Sequence, residues 1–194
     1  MLKSRGNYVD LPTSTRREQV RAALAFKTIP ALAFVFPYHE MLMRGLLEID
    51  GFGVKTRRSN WNYRGIVLLY TSKGKHHKVP AKAYNLTPDE FPRGAIVGVA
   101  TVVDSRLLTE EEKIEMLCNF NRVTPREAEK LGQWPNVEYV APLPFGVFLT
   151  NIKRFKKPIA FRPKPGAIGI MRVPLTTVAK NLREVGFNQE SLVA

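Results

Sequence analysis

The 194-residue chain predicts an α+β fold around a small, curved or closed sheet. Three observations carry that expectation. The runs "YRGIVLLYT" (63–71) and "GAIVGVATVVDS" (94–105) have apolar centres that read as buried strands. Strand-like and helix-like segments alternate irregularly, without the regular rhythm of a doubly wound sheet. Further strand runs crowd the last third, joined by prolines and basic residues. The length suits one domain of ~150 residues with appendages.

Taken in order, residues 1–28 read as a basic N-terminal extension whose short helix, "RREQVRAALAFK", is capped by Ser14 or Thr15. The main domain spans 29–175. It opens with a strand at 31–36 that Pro37 stops, followed by an apolar-periodic helix at 38–47 that Gly51 and Gly53 break. A strand at 63–71 leads into a polar, basic loop from Lys73 to Lys82. In the strand at 94–105, Gly98 marks a bulge or a close backbone approach. Thr109 caps a helix with three glutamates in its first turn, and Thr124, Pro125, Glu127 and Gly132 repeat the signal. Strands follow at 137–142, 145–155 and 167–174, and a C-terminal helix and tail occupy 176–194.

The charge is unusual in size and placement: 30 Lys and Arg against 17 Asp and Glu, a formal +13. No acid occurs over 51–88 or over 139–183, whereas the window 104–129 holds seven of the 17 acids. Charge segregated in this way can converge on one basic face, which polyanion binding requires. No window approaches the ~20 apolar residues of a membrane helix, and the N-terminus lacks the apolar core of a secretory signal, so a soluble protein is expected. The one cysteine, Cys118, excludes an internal disulfide, fits a reducing cytoplasmic setting and reads as a buried structural residue.

Nucleotide-binding glycine loops, zinc-ligand spacings and nucleophile elbows are lacking, so no cofactor or metal is expected. His76 and His77 are adjacent and would point in opposite directions on an extended chain. His39 reads as a capping or surface residue beside Glu40. The constellation that stands out is Lys55, Thr56, Arg57, Arg58, Ser59, Asn60, Trp61, Asn62, Tyr63 and Arg64. It joins cations for phosphate, polar groups for base edges or sugar, and aromatics able to stack on an unpaired base or to anchor the core. Two further basic groups accompany it: Lys73, Lys75 and Lys78 in the loop, and Lys153, Arg154, Lys156 and Lys157 late in the chain.

The stretches "FPYHEMLMRG", "GVKTRRSNWNYRGIVLLYTSKG", "PRGAIVGVATVVDS", "FGVFLTNIKRFKKPIAF" and "GAIGIMRV" resemble, in order, the landmarks of ASCH domains of the PUA-like superfamily, over roughly 29–173. The resemblance implies a small β-barrel with flanking helices and a basic cleft that receives RNA or a nucleobase. Relatives in that family include RNA-binding proteins, a ribonuclease and an amidohydrolase of acetylated cytidine that uses a Lys, a Thr and a Glu. Lys55 and Thr56 fall on the first two, but Arg57 or Arg58 fills the glutamate position. A lysine acting as base or nucleophile needs a depressed pKa or a proton acceptor, whereas phosphate binding needs only charge. The expected function is therefore binding of single-stranded or structured RNA, largely through phosphate contacts and with low sequence specificity. A nucleic-acid enzyme using Lys55 and Thr56 in the same cleft is the alternative, and a basic surface for an acidic protein partner is a third reading. Compact members of the family also occur in phage genomes, which brings mRNA among the expected partners.

Overall fold

The computed structural model describes residues 28–74, 78–122, 143–164 and 170–187. The expected N-terminal extension, the second capped helix, the strand at 137–142 and the residues Lys75, His76 and His77 lie outside these.

Among the described residues the order is β1 (Thr28–Phe34), α1 (Tyr38–Met43), β2 (Glu48–Ile49), β3 (Phe52–Arg57), β4 (Gly65–Thr71), α2 (Lys78–Ala83), a 3-10 turn (Pro88–Glu90), β5 (Ala95–Leu107), α3 (Glu110–Asn121), β6 (Phe145–Ala160), β7 (Ile170–Pro174) and α4 (Leu175–Glu184). The strands form one mixed seven-stranded sheet in the order β2-β3-β6-β5-β4-β1-β7. β1 and β4 run parallel, and the other pairs are antiparallel. The α+β class is as expected. Among the described residues no strand pairing joins β2 to β7, so the sheet is open rather than a closed barrel.

The sheet nevertheless rolls. Three strands separate β3 from β1, which would hold them ~19 Å apart in a flat sheet at ~4.8 Å per strand. Lys55 Nζ on β3 lies 4.5 Å from the ring centroid of Phe34 on β1. A lysine cannot span the flat distance, so β3 faces β1 across the concave side. Long strands with register shifts produce this curvature: β5 and β6 lose register at Ile96/Gly98, Val99/Thr101 and Val102/Asp104. A side chain at Gly98 would strike the Lys153 carbonyl oxygen, so the close approach expected there is realised. Leu32, Phe34, Val67 and Leu69 join Met41 and Leu42 of α1 and Met116, Leu117 and Phe120 of α3 in the larger core. Ile29, Ala31, Ile66, Leu68 and Phe155 form a second core with Val178 and Leu182 of α4.

Local chemistry moved several boundaries. The helix at 38–47 stops at Met43 because Gly45 adopts φ +69 and closes a Schellman turn, with Leu46 N–H donating to Met41 O at 2.9 Å and Gly45 N–H to Leu42 O at 3.2 Å. The α4 helix ends the same way at Gly186, with Phe187 N–H on Leu182 O at 2.9 Å. Asp50 and Gly51 both have positive φ and link β2 to β3, the Asp-Gly signature of a two-residue hairpin, so Gly51 turns a hairpin where a helix stop was expected. Gly53 is a strand residue instead of a breaker: any side chain there would meet Ile152 and Leu42. Within the expected 73–82 loop, "KVPAKA" is helical, since two alanines favour helix and Pro80 falls in the first turn, where its missing N–H costs nothing. The Thr109 capping box with Glu112 forms as expected, and Cys118 is buried.

Candidate functional site

Strand alternation places Gly53, Lys55 and Arg57 on the concave face of β3, and Val54 and Thr56 on the other. After Arg57 the chain leaves the sheet through exposed Arg58 and Asn60 and turns back at Trp61, whose backbone N–H donates to Asn60 Oδ1 at 2.8 Å and Ser105 Oγ at 3.0 Å. Ser105 is itself buried, which ties the turn to β5. Trp61 and Tyr63 stack with centroids 4.9 Å apart and planes inclined by 22°. Both are half-buried against the larger core, and the Tyr63 hydroxyl donates to Ile66 O at 2.7 Å. The Arg57 guanidinium lies 5.5 Å from the Trp61 ring. The result is a ladder of cation, indole and phenol at the mouth of the rolled sheet, with Lys55 further in over Phe34.

The electrostatics of this ladder are uncompensated. Burial, and then the neighbouring Arg57 charge, lower the Lys55 pKa from 10.5 to about 8. Burial also lowers that of Arg57, whose Nε is buried without a hydrogen-bond partner among the described residues. Among the described residues neither cation makes an ion pair. Two of the acids, Glu40 and Asp104, are already paired with arginines. Glu40, 4% exposed, receives Arg44 Nε at 2.9 Å and an Arg154 guanidinium nitrogen at 2.7 Å. Burial pushes the Glu40 pKa up, but the hydrogen bonds from Arg154 and Arg44 outweigh it and hold it below the ordinary carboxylate value. Arg64 pairs with Asp104 at 2.6 Å, and Arg106 with Asp104 and Glu112.

The remaining predicted cations scatter. Lys73 lays its stem against Gly94, Lys78 lies on α2, and Lys156 and Lys157 are exposed on β6. Lys153 and Arg154 diverge: Lys153 Nζ donates to Val185 O at 2.8 Å at the end of α4, while Arg154 bonds Glu40 on α1. Lys153 thus serves the C-terminus of a helix, where a cation is favoured. The predicted residues that converge are Lys55, Arg57, Trp61 and Tyr63.

Sequence reasoning missed Arg172 of β7, whose charge acts on the Tyr63 hydroxyl. The alternation in "IMRV", with Met171 and Val173 in the second core, could have put Arg172 on the opposite face, but not beside Tyr63. It also missed Phe34 as the wall beneath Lys55. His39, expected at the surface, is wholly buried between Phe36 and Phe91, at ring distances of 6.0 and 6.2 Å, with both nitrogens unpartnered among the described residues. It lies there because Pro37 and Tyr38 begin α1 against the core, turning its first residues inward. Burial lowers its pKa from 6.5 to about 4, against the opposing pull of Glu40.

No family model matches the chain, and no curated protein matches it. Among the described residues no helix is long and apolar enough to cross a membrane, and no group of three or more His, Cys, Asp or Glu is placed to hold a metal ion.

Proposed function

We propose that the protein binds single-stranded or structured RNA at the concave mouth, through phosphate contacts to Lys55 and Arg57 and stacking on the Trp61–Tyr63 pair. One observation carries the reading: two adjacent, partly desolvated cations stand without an ion-pair partner among the described residues, one with a buried unpartnered Nε. Charges withdrawn from water are normally paired, and a phosphate would supply the missing counter-charge. The accessible aromatics beside them favour a nucleic acid over a simple anion, since every base offers a face to stack. Arg58, Arg172 and the exposed lysines of β6 extend the positive field from which a longer strand gains affinity. The rolled, open sheet leaves the concave side accessible to such a strand.

The enzymatic alternative draws on the lowered pKa of Lys55, but among the described residues Glu40 is held by two arginines and no carboxylate pairs with the lysine. Titration of a labelled single-stranded oligoribonucleotide across a salt series tests the binding reading. The log-log slope should be about −0.7 per phosphate contacted, and flatter by roughly that amount for each of Lys55 and Arg57 replaced by alanine. Affinity indifferent to salt, or unchanged in a folded variant lacking both cations together with Arg58, overturns it. Incubation with RNA and with acetylated cytidine, compared with Lys55→Ala, separates the enzyme.

A further inference from the structure

We infer that Lys55 is a carbonyl-trapping amine: its Nζ condenses with the aldehyde of a ligand whose neighbouring phosphate is held by Arg57. The inference deepens the anion-site reading above and rests on it for the role of Arg57.

A lysine that forms an imine must be largely stripped of water, kept from a carboxylate that would stabilise its ammonium form, and set beside a group that orients the substrate. Lys55 is part-buried on β3 with its amine packed on an apolar ring, and it meets the other two conditions geometrically. Its Nζ lies over the ring of Phe34, a residue only 2% exposed, and among the described residues it has no carboxylate partner. Arg57 follows two residues later on the same face of the strand, so its guanidinium stands along β3 from the amine. That guanidinium repels the ammonium form and attracts an anion, two effects that act together on a phosphorylated aldehyde.

In the reaction the amine lone pair attacks the carbonyl carbon, and the carbonyl electrons move to oxygen, which takes a proton. The resulting carbinolamine loses water, and loss of the remaining N–H proton leaves the C=N bond. No oxidant or reductant is consumed. The aldehyde-and-phosphate chemistry is shared by a small phosphorylated aldehyde and by an abasic site in a nucleic acid, whose opened sugar is an aldehyde flanked by phosphates.

The intact chain is incubated at pH 7 with pyridoxal 5′-phosphate, reduced with borohydride, and its labelled lysines are mapped by peptide mass spectrometry. With a pKa of about 8 rather than 10.5, Lys55 carries about 300 times more free amine at pH 7. Lower intrinsic nucleophilicity, with a Brønsted slope of ~0.45 as for thiols, reduces this to roughly 20-fold faster labelling than a lysine of ordinary pKa. The Lys55 rate should reach half its maximum near pH 8, and Arg57→Gln should lower its labelling at pH 7 severalfold.

A second arm traps a single-stranded oligonucleotide carrying an abasic site and measures binding of an intact oligonucleotide in parallel. Crosslinking at Lys55 in this arm identifies the nucleic acid as the source. Labelling by pyridoxal 5′-phosphate without oligonucleotide binding supports the imine chemistry on a small aldehyde and overturns the RNA reading. Oligonucleotide binding with Lys55 labelled no faster than Lys156 overturns the inference and leaves the RNA reading standing. Labelling unchanged in Arg57→Gln overturns the role given to Arg57.

Discussion

Replacing Lys55 by methionine should make the unliganded protein more stable while weakening its hold on RNA. The native pKa lies below the unfolded one, so between about pH 8 and 10.5 the unfolded chain binds the proton that the folded chain has released. Raising the pH through this window therefore removes a penalty, and below pH 8 the penalty is present in full. The drop from 10.5 to about 8, at 1.36 kcal/mol per pH unit, corresponds to about 3 kcal/mol of destabilisation at neutral pH. Methionine is unbranched and one atom shorter, and packs on Phe34 without a charge to desolvate. Urea denaturation of parent and Lys55→Met at pH 7 and pH 10.5 reads the effect. The variant should be more stable by about 2–3 kcal/mol at pH 7, with the gap closing towards pH 10.5. Tyrosines and other lysines also titrate in this range, so the difference between the two proteins carries the test. A gap that is absent or constant with pH would refute the claim that Lys55 holds an uncompensated charge. The same charge, neutralised by phosphate, would then contribute to binding what it costs in folding.

Other outcomes follow from neighbouring groups. Stability should fall by about 3 kcal/mol as the pH drops from 6.5 to 4, because unfolded His39 accepts a proton that the buried ring refuses until about pH 4; His39→Phe should remove that share of the acid sensitivity in parallel melts. Trp61→Ala should weaken oligoribonucleotide binding by ~1–3 kcal/mol if its exposed face stacks a base, with melting measured alongside because the indole also packs on the core. Glu40→Gln removes the carboxylate charge and leaves an amide NH2 facing one of Arg44 and Arg154, and should cost ~3 kcal/mol or more of stability, read by denaturation; a neutral effect would mean that the Glu40–Arg154 pair contributes nothing to tying α1 to β6.

The sequence by itself determined the elements whose signals are local. The apolar runs at 63–71 and 94–105 became β4 and β5, Gly98 marked a real backbone approach, and Thr109 with Glu112 closed its capping box, because each depends on residues a few positions apart or on burial that composition already records. Boundaries set by single glycines were equally local yet easy to misassign: Gly45 ended α1 early, and the Asp50-Gly51 pair made a hairpin where a helix break was expected. The sequence also marked the basic segment around Lys55 and its lack of acids. Which of those cations remain unpaired was decided only in three dimensions. Arg64 meets Asp104 forty residues on, and Arg154 meets Glu40 across 114 residues, whereas Lys55 and Arg57 meet aromatic rings. No periodicity encodes those distances, because they follow from the roll of the sheet. That roll sums small twists and register shifts over the long β5 and β6 strands, and so brings Phe34 under Lys55 and Arg172 towards Tyr63.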